Sequence, residues 1–495
     1  VTALQGACRG GELAGVEPVG HLDHVVEHRG VVAAGRALAD AEQPDPVELG
    51  HRPRKPQGGL GGERRDEHHV SHAAACSTTR RAPACATVSG MNVVFLAPSY
   101  PPEMQQYTRG LAEVGASVYG VGDAPLASLP RSLRAHLTDY LQVPRLLDED
   151  DVVARVHAWM RGRSVDRVLA NWEVMVLTAA RLREKFGVPG MSVDTVRGFR
   201  DKQLMKERVA AAGLRTPRSV RVRSGAEARA AAAQLGYPLV LKPIAGAGSA
   251  DTYACGSERE FEQALAATQH VGEASVEEFI EGEEFTFDTV CIGGKPVYMN
   301  VAQYLPKPII ARSEEWISPV IITVRDLQQP AVAGGIALGK QVLGALGMGD
   351  GFTHMEWFRK PSGEAVFGEI GCRPGGACLV DQMNYTSDID LFREWARAVC
   401  WHAFEAPTTR KYNAAIIFKR AKGHGRITRI TGLVEFMRRY GEFVVEETLL
   451  RPGTPRRNWK HTLISDGHIL LRHPDWRVAK ELADIVATEI TLYAE

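Results

Sequence analysis

Glu356 and Glu369 stand on either side of the turn Lys360-Pro361-Ser362-Gly363, within FTHMEWFRKPSGEAVFGEIGCRPGG, Phe352 to Gly376. The β-type runs flanking a Pro-Ser-Gly turn read as a β-hairpin. Pairing Arg359 with Glu364 sets Glu356 opposite Phe367 and His354 opposite Glu369. Strand alternation then gathers His354, Glu356, Phe367 and Glu369 on one face. The two glutamates become diagonal neighbours, roughly 7–8 Å apart at the backbone. Carboxylates that close repel unless a positive charge lies between them. Hard oxygen ligands on a short, rigid platform suit Mg²⁺, above all when a polyphosphate supplies the remaining ligands. Two solvated carboxylates on an outer face are the alternative for an isolated hairpin. Beyond the second strand, Arg373 and the pair Gly375-Gly376 set a guanidinium beside exposed backbone N–H groups, which suits an anion.

Three upstream segments carry matching chemistry. DKQLMKERVAAAG, Asp201 to Gly213, is a punctuated helix with Asp201 as its N-cap and Gly213 at its left-handed end. Lys202 falls in the first turn, where a cation is unfavourable, so a role against an anion competes with that of an ordinary surface lysine. YPLVLKPIAGAG, Tyr237 to Gly248, is a buried strand carrying Lys242, followed by the small residues Ala245 to Ala250. Backbone N–H groups in such a run are open to a phosphate. It is not a P-loop, because the lysine precedes the glycines and Thr252 to Cys255 reads as a strand. A hairpin flap fits better. SVEEFIEGEEFTFDTVCI, Ser275 to Ile292, gives two strands about Glu281-Gly282, with Phe285, Phe287 and Thr289 on one side. Glu277, Glu278, Glu281, Glu283 and Glu284 make either a solvated acidic turn or a nucleoside site.

The elements that position these residues follow from the whole chain. Its 495 residues allow roughly two to four domains. Lys plus Arg equals Asp plus Glu at 59 each, so no bulk attraction to nucleic acid or anionic membrane is expected. No apolar run is long enough to span a bilayer. The eight cysteines lack C-x-x-C pairs, as expected of reduced thiols in a cytoplasmic protein. Composition changes at Met91. Before it there is no Phe, Tyr, Trp, Ile, Met or Asn, and Lys55 is the one lysine. Residues 1–90 are therefore expected to be a disordered leader, with Met91 as the natural start. His21, His24 and His28 have helical spacing there, but so polar a context gives them no defined role.

From Met91, the strand Asn92 to Pro98, the helix Tyr107 to Glu113 and the strand SVYGVG open a doubly wound sheet. No G-x-G-x-x-G follows the first strand, so dinucleotide binding is not supported. A helix is expected over Asp151 to Arg161, a strand over Arg167 to Ala170 and a helix over Leu177 to Phe186, closed by the loop Gly187 to Gly190. Asn413 to Glu495 reads as a small mixed α/β unit in which Arg426, Arg429, Arg438 and Arg439 lie on solvated faces.

In order and spacing these motifs resemble the ATP-grasp superfamily of carboxylate–amine ligases: DK-x-x-MK at Asp201 to Lys206, LKP at Leu241 to Pro243, the small-residue flap, EEFIEGEEF at Glu277 to Phe285, and the HME and GEIGCRPGG pair. The resemblance covers Met91 to Pro407. It implies an α/β and α+β protein with a Rossmann-like domain over 91–196, a two-subdomain ATP-grasp fold over 197–407 with its lid at about 215–280, and a closing module over 408–495. It also implies roles. Lys202 and Lys242 would contact the α- and β-phosphates of ATP, under a flap whose backbone at Gly246, Gly248 and Ser249 closes over them. Glu277 would accept from the adenine amine, the Ile280 backbone would read the purine edge, and Glu284 would hold the ribose. Glu356 and Glu369 would coordinate Mg²⁺, and Arg373 with Gly375-Gly376 would hold the substrate carboxylate and its developing oxyanion. The family usually has Asn where Gly371 stands, so a second Mg²⁺ would be held weakly or through water. His354 is a conceivable general base, although packing or support of a ligand suits it better.

The reaction implied is ATP-dependent ligation of a small carboxylate, such as an amino acid, to an amine through an acyl phosphate. The alternatives are a biotin-carboxylase-like carboxylation and a nucleotide-binding protein without turnover. Small-molecule substrates are the expected partners, with a homodimer compatible with the family.

Overall fold

The computed structural model describes residues 90–244 and 251–495. The leader with His21, His24 and His28, and the flap positions Gly246, Gly248 and Ser249, lie outside the described residues. Gly90–Glu495 forms one compact unit. No described helix is long and apolar enough to cross a membrane. Cys255, Cys291, Cys372, Cys378 and Cys400 are free thiols.

Among the described residues the strands form four sheets. The first is parallel and joins Asn92–Leu96 (β1), Ser117–Gly122 (β2), Asp139–Gln142 (β3) and Arg167–Leu169 (β4) in the order β3-β2-β1-β4. Val93 to Leu96 of β1 are wholly buried, as an apolar run between two neighbours in a covered sheet must be. The helices Met104–Glu113, Glu149–Trp159 and Val176–Phe186 follow the expected order, the first starting one turn early, just behind Pro101-Pro102.

The sequence reading assigned no element to Val193–Arg200, which is helical and capped by Ser192. It ends at Asp201, which also caps the next helix, Lys202–Ala211, by accepting from the N–H groups of Gln203 and Leu204 at 3.0 Å each. Arg200 and Lys202 therefore leave one tight junction in different directions.

Next comes an antiparallel sheet of Ser219–Val222 (β5), Leu239–Pro243 (β6), Tyr253–Cys255 (β7) and Ala274–Glu278 (β8), ordered β5-β8-β6-β7. The helices Gly225–Leu235 and Glu258–Ala267 close its core through Ala228, Ala231, Ala232, Phe261 and Ala264. The central sheet is built from Glu283–Ile292 (β9), Lys295–Leu305 (β10), Val320–Thr323 (β11), Gly351–Arg359 (β12), Ala365–Gly371 (β13) and Asn413–Phe418 (β14). After Lys422–Gly423 (β15) and Ile427–Thr431 (β16), the strands Val444–Glu447 (β17) and His468–His473 (β18) complete it, and Thr491–Ala494 (β19) pairs with β15 and β16. The order β13-β12-β9-β10-β11-β14-β18-β17 makes the C-terminal strands part of the same sheet as the glutamate hairpin.

One face of that sheet packs Phe285, Phe287, Met355, Trp357, Phe367 and Ile370 against the helix Pro330–Leu346. The helix can approach because two of its residues lack side chains. A Cβ at Gly335 would lie 2.1 Å from the Trp357 ring, and one at Gly339 would lie 2.3 Å from Phe287. The opposite face carries the polar residues of the site.

The hairpin itself differs from the sequence expectation. Arg359 pairs with Ala365 and Trp357 with Phe367, then the register shifts and Glu356 pairs directly with Glu369. The extra residue is Gly368, whose added Cβ would lie 2.8 Å from the Glu356 carbonyl oxygen. A bulge of one residue reverses which side chains face the core. Pairing at the turn is already one residue off the expected register, which puts Phe367 in the core with Trp357 and not beside the glutamates; the bulge then returns Glu369 to the face of Glu356 and leaves His354 opposite Gly371, not Glu369. The two glutamates are direct cross-strand partners, closer than the diagonal expected.

Candidate functional site

A cleft between the β5–β8 sheet and the polar face of the central sheet is lined by Lys202, Lys242, Glu277, Ile280, Glu284, Lys307, Glu356 and Glu369. These residues come from the start of a helix (Lys202), from β6 (Lys242), β8 (Glu277), β9 (Glu284), β12 (Glu356) and β13 (Glu369). The nucleotide and metal residues expected from the sequence, apart from the flap positions, therefore line one space. Lys307, with Pro308 and Ile309 beside it, was not anticipated, because nothing in its local sequence marks it.

Charges alternate across this cleft. Lys206 Nζ meets Glu277 Oε1, Lys242 Nζ lies 3.0 Å from Glu277 Oε2 and 3.6 Å from Glu369 Oε2, and Lys202 Nζ lies 3.0 Å from Glu369 Oε2. Burial would raise the Glu277 carboxyl, yet Lys206 and Lys242 hold it down at about 2. The Glu369 carboxyl is likewise held well below its ordinary value against burial, by Lys202 and Lys242. Burial pushes Lys206 down to about 8, with Glu277 opposing and Lys242 adding to the shift. Glu277 was expected to accept from an adenine amine. Both of its oxygens are engaged by ammonium groups, and the side chain is 5% exposed. It is the shared counter-charge of Lys242, which lines the cleft, and of Lys206 behind it. Lys206, present in the DK-x-x-MK motif but given no role, is its buried partner.

Glu356 is braced from behind. Tyr304 OH donates to Glu356 Oε1 at 3.2 Å, and His354 Nε2 is 3.8 Å from the same oxygen. His354 Nδ1 is 2.5 Å from Asp288 Oδ1, while Asp288 Oδ2 accepts from Thr286 Oγ1 at 2.7 Å and Asn300 Nδ2 at 2.9 Å. Burial would lower the imidazole, but Asp288 lifts it to about 9. A histidine protonated at neutral pH is a poor general base, and His354 stands behind Glu356. Glu284 is shifted the other way: burial and the neighbouring Glu356 push its carboxyl well above the ordinary range. The Ile280 side chain is 6% exposed against this cleft.

Arg373 follows β13 and donates from Nε to Glu173 Oε2 at 2.5 Å and from Nη1 to the Pro374 carbonyl at 2.6 Å. Arg200 Nη1 donates to the other oxygen, Glu173 Oε1, at 2.5 Å. The two arginines overcome the cost of burial and hold Glu173 at about 2. Glu173 comes from just after β4, 200 residues from Arg373. Gly371 lies beside this bridge, and a Cβ there would stand 3.3 Å from Glu173 Oε2.

Among the described residues no cluster of three or more His, Cys, Asp or Glu could hold a metal ion. Glu356 and Glu369 are hard oxygen donors directly across from one another. They fit Mg²⁺ as a pair that leaves the remaining positions to phosphate oxygens and water.

A family model described as an ATP-grasp domain matches residues 235–381. The L-arginine-specific L-amino acid ligase of Bacillus subtilis is 27% identical over 234 residues, 46% of this chain and 56% of that protein. The alanine–anticapsin ligase of Bacillus subtilis is 23% identical over 278 residues, 51% of this chain and 58% of that protein. The chain thus spans little more than half the length of these curated ligases. Among solved structures, the L-amino acid ligase from Bacillus licheniformis superposes with a TM-score of 0.66 at 20% identity, over 82% of this chain and 99% of that one. N5-carboxyaminoimidazole ribonucleotide synthetase from Thermotoga maritima gives 0.59 at 19% identity, over 82% of this chain and 100% of that one. At such identities the likeness is one of fold. The chain carries an ATP-grasp domain, set in the mixed α/β fold that ATP-grasp ligases share.

Proposed function

We propose that the protein is an ATP-dependent ligase that activates a small carboxylate, of the amino-acid class, as an acyl phosphate and joins it to an amine, releasing ADP and phosphate. The observation that carries this reading is that Lys202, Lys242, Glu356 and Glu369 line one cleft, with Arg373 held at the end of the strand that carries Glu369. The L-amino acid ligases among the relatives support it.

The chemistry is a problem of like charges. A carboxylate oxygen must attack the γ-phosphorus of ATP, forming one O–P bond as the β–γ bridge breaks and ADP leaves. Lys202 and Lys242 would neutralise phosphate oxygens, and Arg373 with the Gly375-Gly376 N–H groups would receive the carboxylate. Mg²⁺ held by Glu356 and Glu369 would screen the remaining phosphate charge. The amine nitrogen then attacks the acyl carbon, a C–N bond forms, the C–O bond to phosphate breaks, and the nitrogen loses a proton. An acyl phosphate hydrolyses in water, so a closed cleft is needed until the amine arrives.

Phosphate release measured across pairs of amino acids tests the reading. A ligase consumes ATP when a carboxylate and an amine are both supplied, whereas ATP use that needs bicarbonate and biotin would make it a carboxylase. No ATP use with any pair would leave a nucleotide-binding protein.

A further inference from the structure

One carboxylate, Glu173, lies between two guanidinium groups, and all three side chains are largely buried at 14% exposure for Glu173, 16% for Arg200 and 19% for Arg373. Both oxygens of Glu173 are used. The trio therefore carries a net positive charge in a poorly solvated place, which is costly unless an anion completes it. Among the described residues, Nη2 of Arg373 and both Nε and Nη2 of Arg200 have no protein acceptor. Glu103, Glu356 and Glu369 feel the charge of Arg373, but burial raises the Glu103 carboxyl, Glu369 is already neutralised by Lys202 and Lys242, and Glu356 faces Tyr304 and His354.

Connectivity points the same way. Arg200 ends one helix and Lys202 begins the next, so a step across Asp201 sets Lys202 on Glu369 and Arg200 on Glu173. The cation that meets Glu369 and the cation that meets Glu173 therefore leave a single helix junction. Position 371 is also close to the bridge, since a Cβ there would stand 3.3 Å from Glu173 Oε2 and 3.4 Å from Arg373 Cγ.

We infer that Arg200 and Arg373 form a paired-guanidinium subsite for the carboxylate that is activated, with Glu173 as the positioning residue that fixes both planes. This rests on the ligase reading and adds to it a second arginine and an orienting acid from the N-terminal domain. Two guanidinium planes held by one acid can donate to both oxygens of a carboxylate from more than one side, beyond the single fork that one arginine supplies.

The test compares wild type with Arg200→Ala, Arg200→Lys and Glu173→Gln. A charge-assisted hydrogen bond to a carboxylate is worth on the order of 10-fold to 100-fold in binding. Arg200→Ala is expected to raise KM for the carboxylate substrate by that factor while KM for ATP stays within about 2-fold. Arg200→Lys should recover part of the loss, and Glu173→Gln should weaken the same substrate selectively. Equal rises in both KM values, or no change in the carboxylate KM, overturn the inference. A binding readout separates it from the ligase reading. A mixture of the standard amino acids, with a non-hydrolysable ATP analogue present, should raise Tm of the wild type and not of Arg200→Ala, whether or not any pair supports turnover. A wild type that the mixture does not stabilise overturns the subsite.

Discussion

Lys202 Nζ lies 3.0 Å from Glu369 Oε2, so the carboxylate proposed to bind a metal is held by the lysine proposed to bind phosphate. The cleft neutralises itself in the absence of ligand. A metal ion alone must compete with Lys202 and Lys242 for Glu369, and Lys242 then has only Glu277 left as its close carboxylate. With ATP present the lysines have phosphate oxygens to turn to, and the exchange of partners costs little. Mg²⁺ and ATP are therefore expected to bind with positive coupling of roughly 5-fold to 150-fold. Calorimetric titration of Mg²⁺ with and without a non-hydrolysable ATP analogue measures it. Lys202→Gln should raise the affinity for Mg²⁺ alone while weakening ATP. Mg²⁺ affinity that is indifferent to nucleotide would sink the exchange.

Glu277 gives a prediction about stability. Removing its charge in Glu277→Gln leaves Lys206 and Lys242 buried without their shared partner, a loss of roughly 3–5 kcal/mol. The sign of the pH dependence follows from the shift. The folded-state carboxyl is depressed from 4.5 to about 2, so its contribution is present above pH 4.5 and is lost as pH falls toward 2. For a shift of that size the contribution is about 3 kcal/mol. Urea unfolding at pH 7 should show the destabilisation. Between pH 5 and pH 3 the gap in Tm between wild type and Glu277→Gln should narrow. A gap that stays constant over that range would remove Glu277 as the titrating group.

The motifs that hold the nucleotide cleft were legible because each is local. A cap at Asp201, a lysine on a short buried strand and two glutamates about a turn can all be read from neighbouring residues. The bulge at Gly368 was not legible, because a glycine in a strand is compatible with either register and only the packing of Phe367 against Trp357 decides between them. Glu173 was invisible for a different reason. Its meaning depends on Arg200 and Arg373, which approach it only when the parallel sheet and the central sheet are folded together. The pairing of Glu277 with Lys206 and Lys242 was hidden for the same cause, since three separate segments bring these residues together.

His354 is held by Asp288 and stands behind Glu356, so its contribution should be to metal binding and not to proton transfer. His354→Gln keeps a polar side chain but loses the charge next to Glu356. The expected outcome is a rise of about 10-fold in the Mg²⁺ concentration needed for half-maximal activity, with kcat at saturating Mg²⁺ largely restored. Asp288→Asn should behave similarly through loss of the imidazolium. A kcat that stays low at saturating Mg²⁺, with the Mg²⁺ requirement unchanged, would instead assign His354 to the chemical step.

Gly371 tests whether space at the end of β13 matters to the arginine bridge. A Cβ at 3.3 Å from Glu173 Oε2 is tight enough that the carboxylate must shift by a few tenths of an ångström, and its two arginines with it. Gly371→Ala should therefore raise KM for the carboxylate substrate several-fold with little change in KM for ATP. The effect is expected to run through Glu173, so Gly371→Ala and Glu173→Gln should not add. In a double-mutant cycle on kcat/KM, residues that share one network typically couple by about 0.5–3 kcal/mol. Once Glu173→Gln has already disordered the bridge, the alanine should cost almost nothing more. Strict additivity would mean that residue 371 acts on the site by another route, through β13 and Glu369, and the effect on ATP would then rise to match.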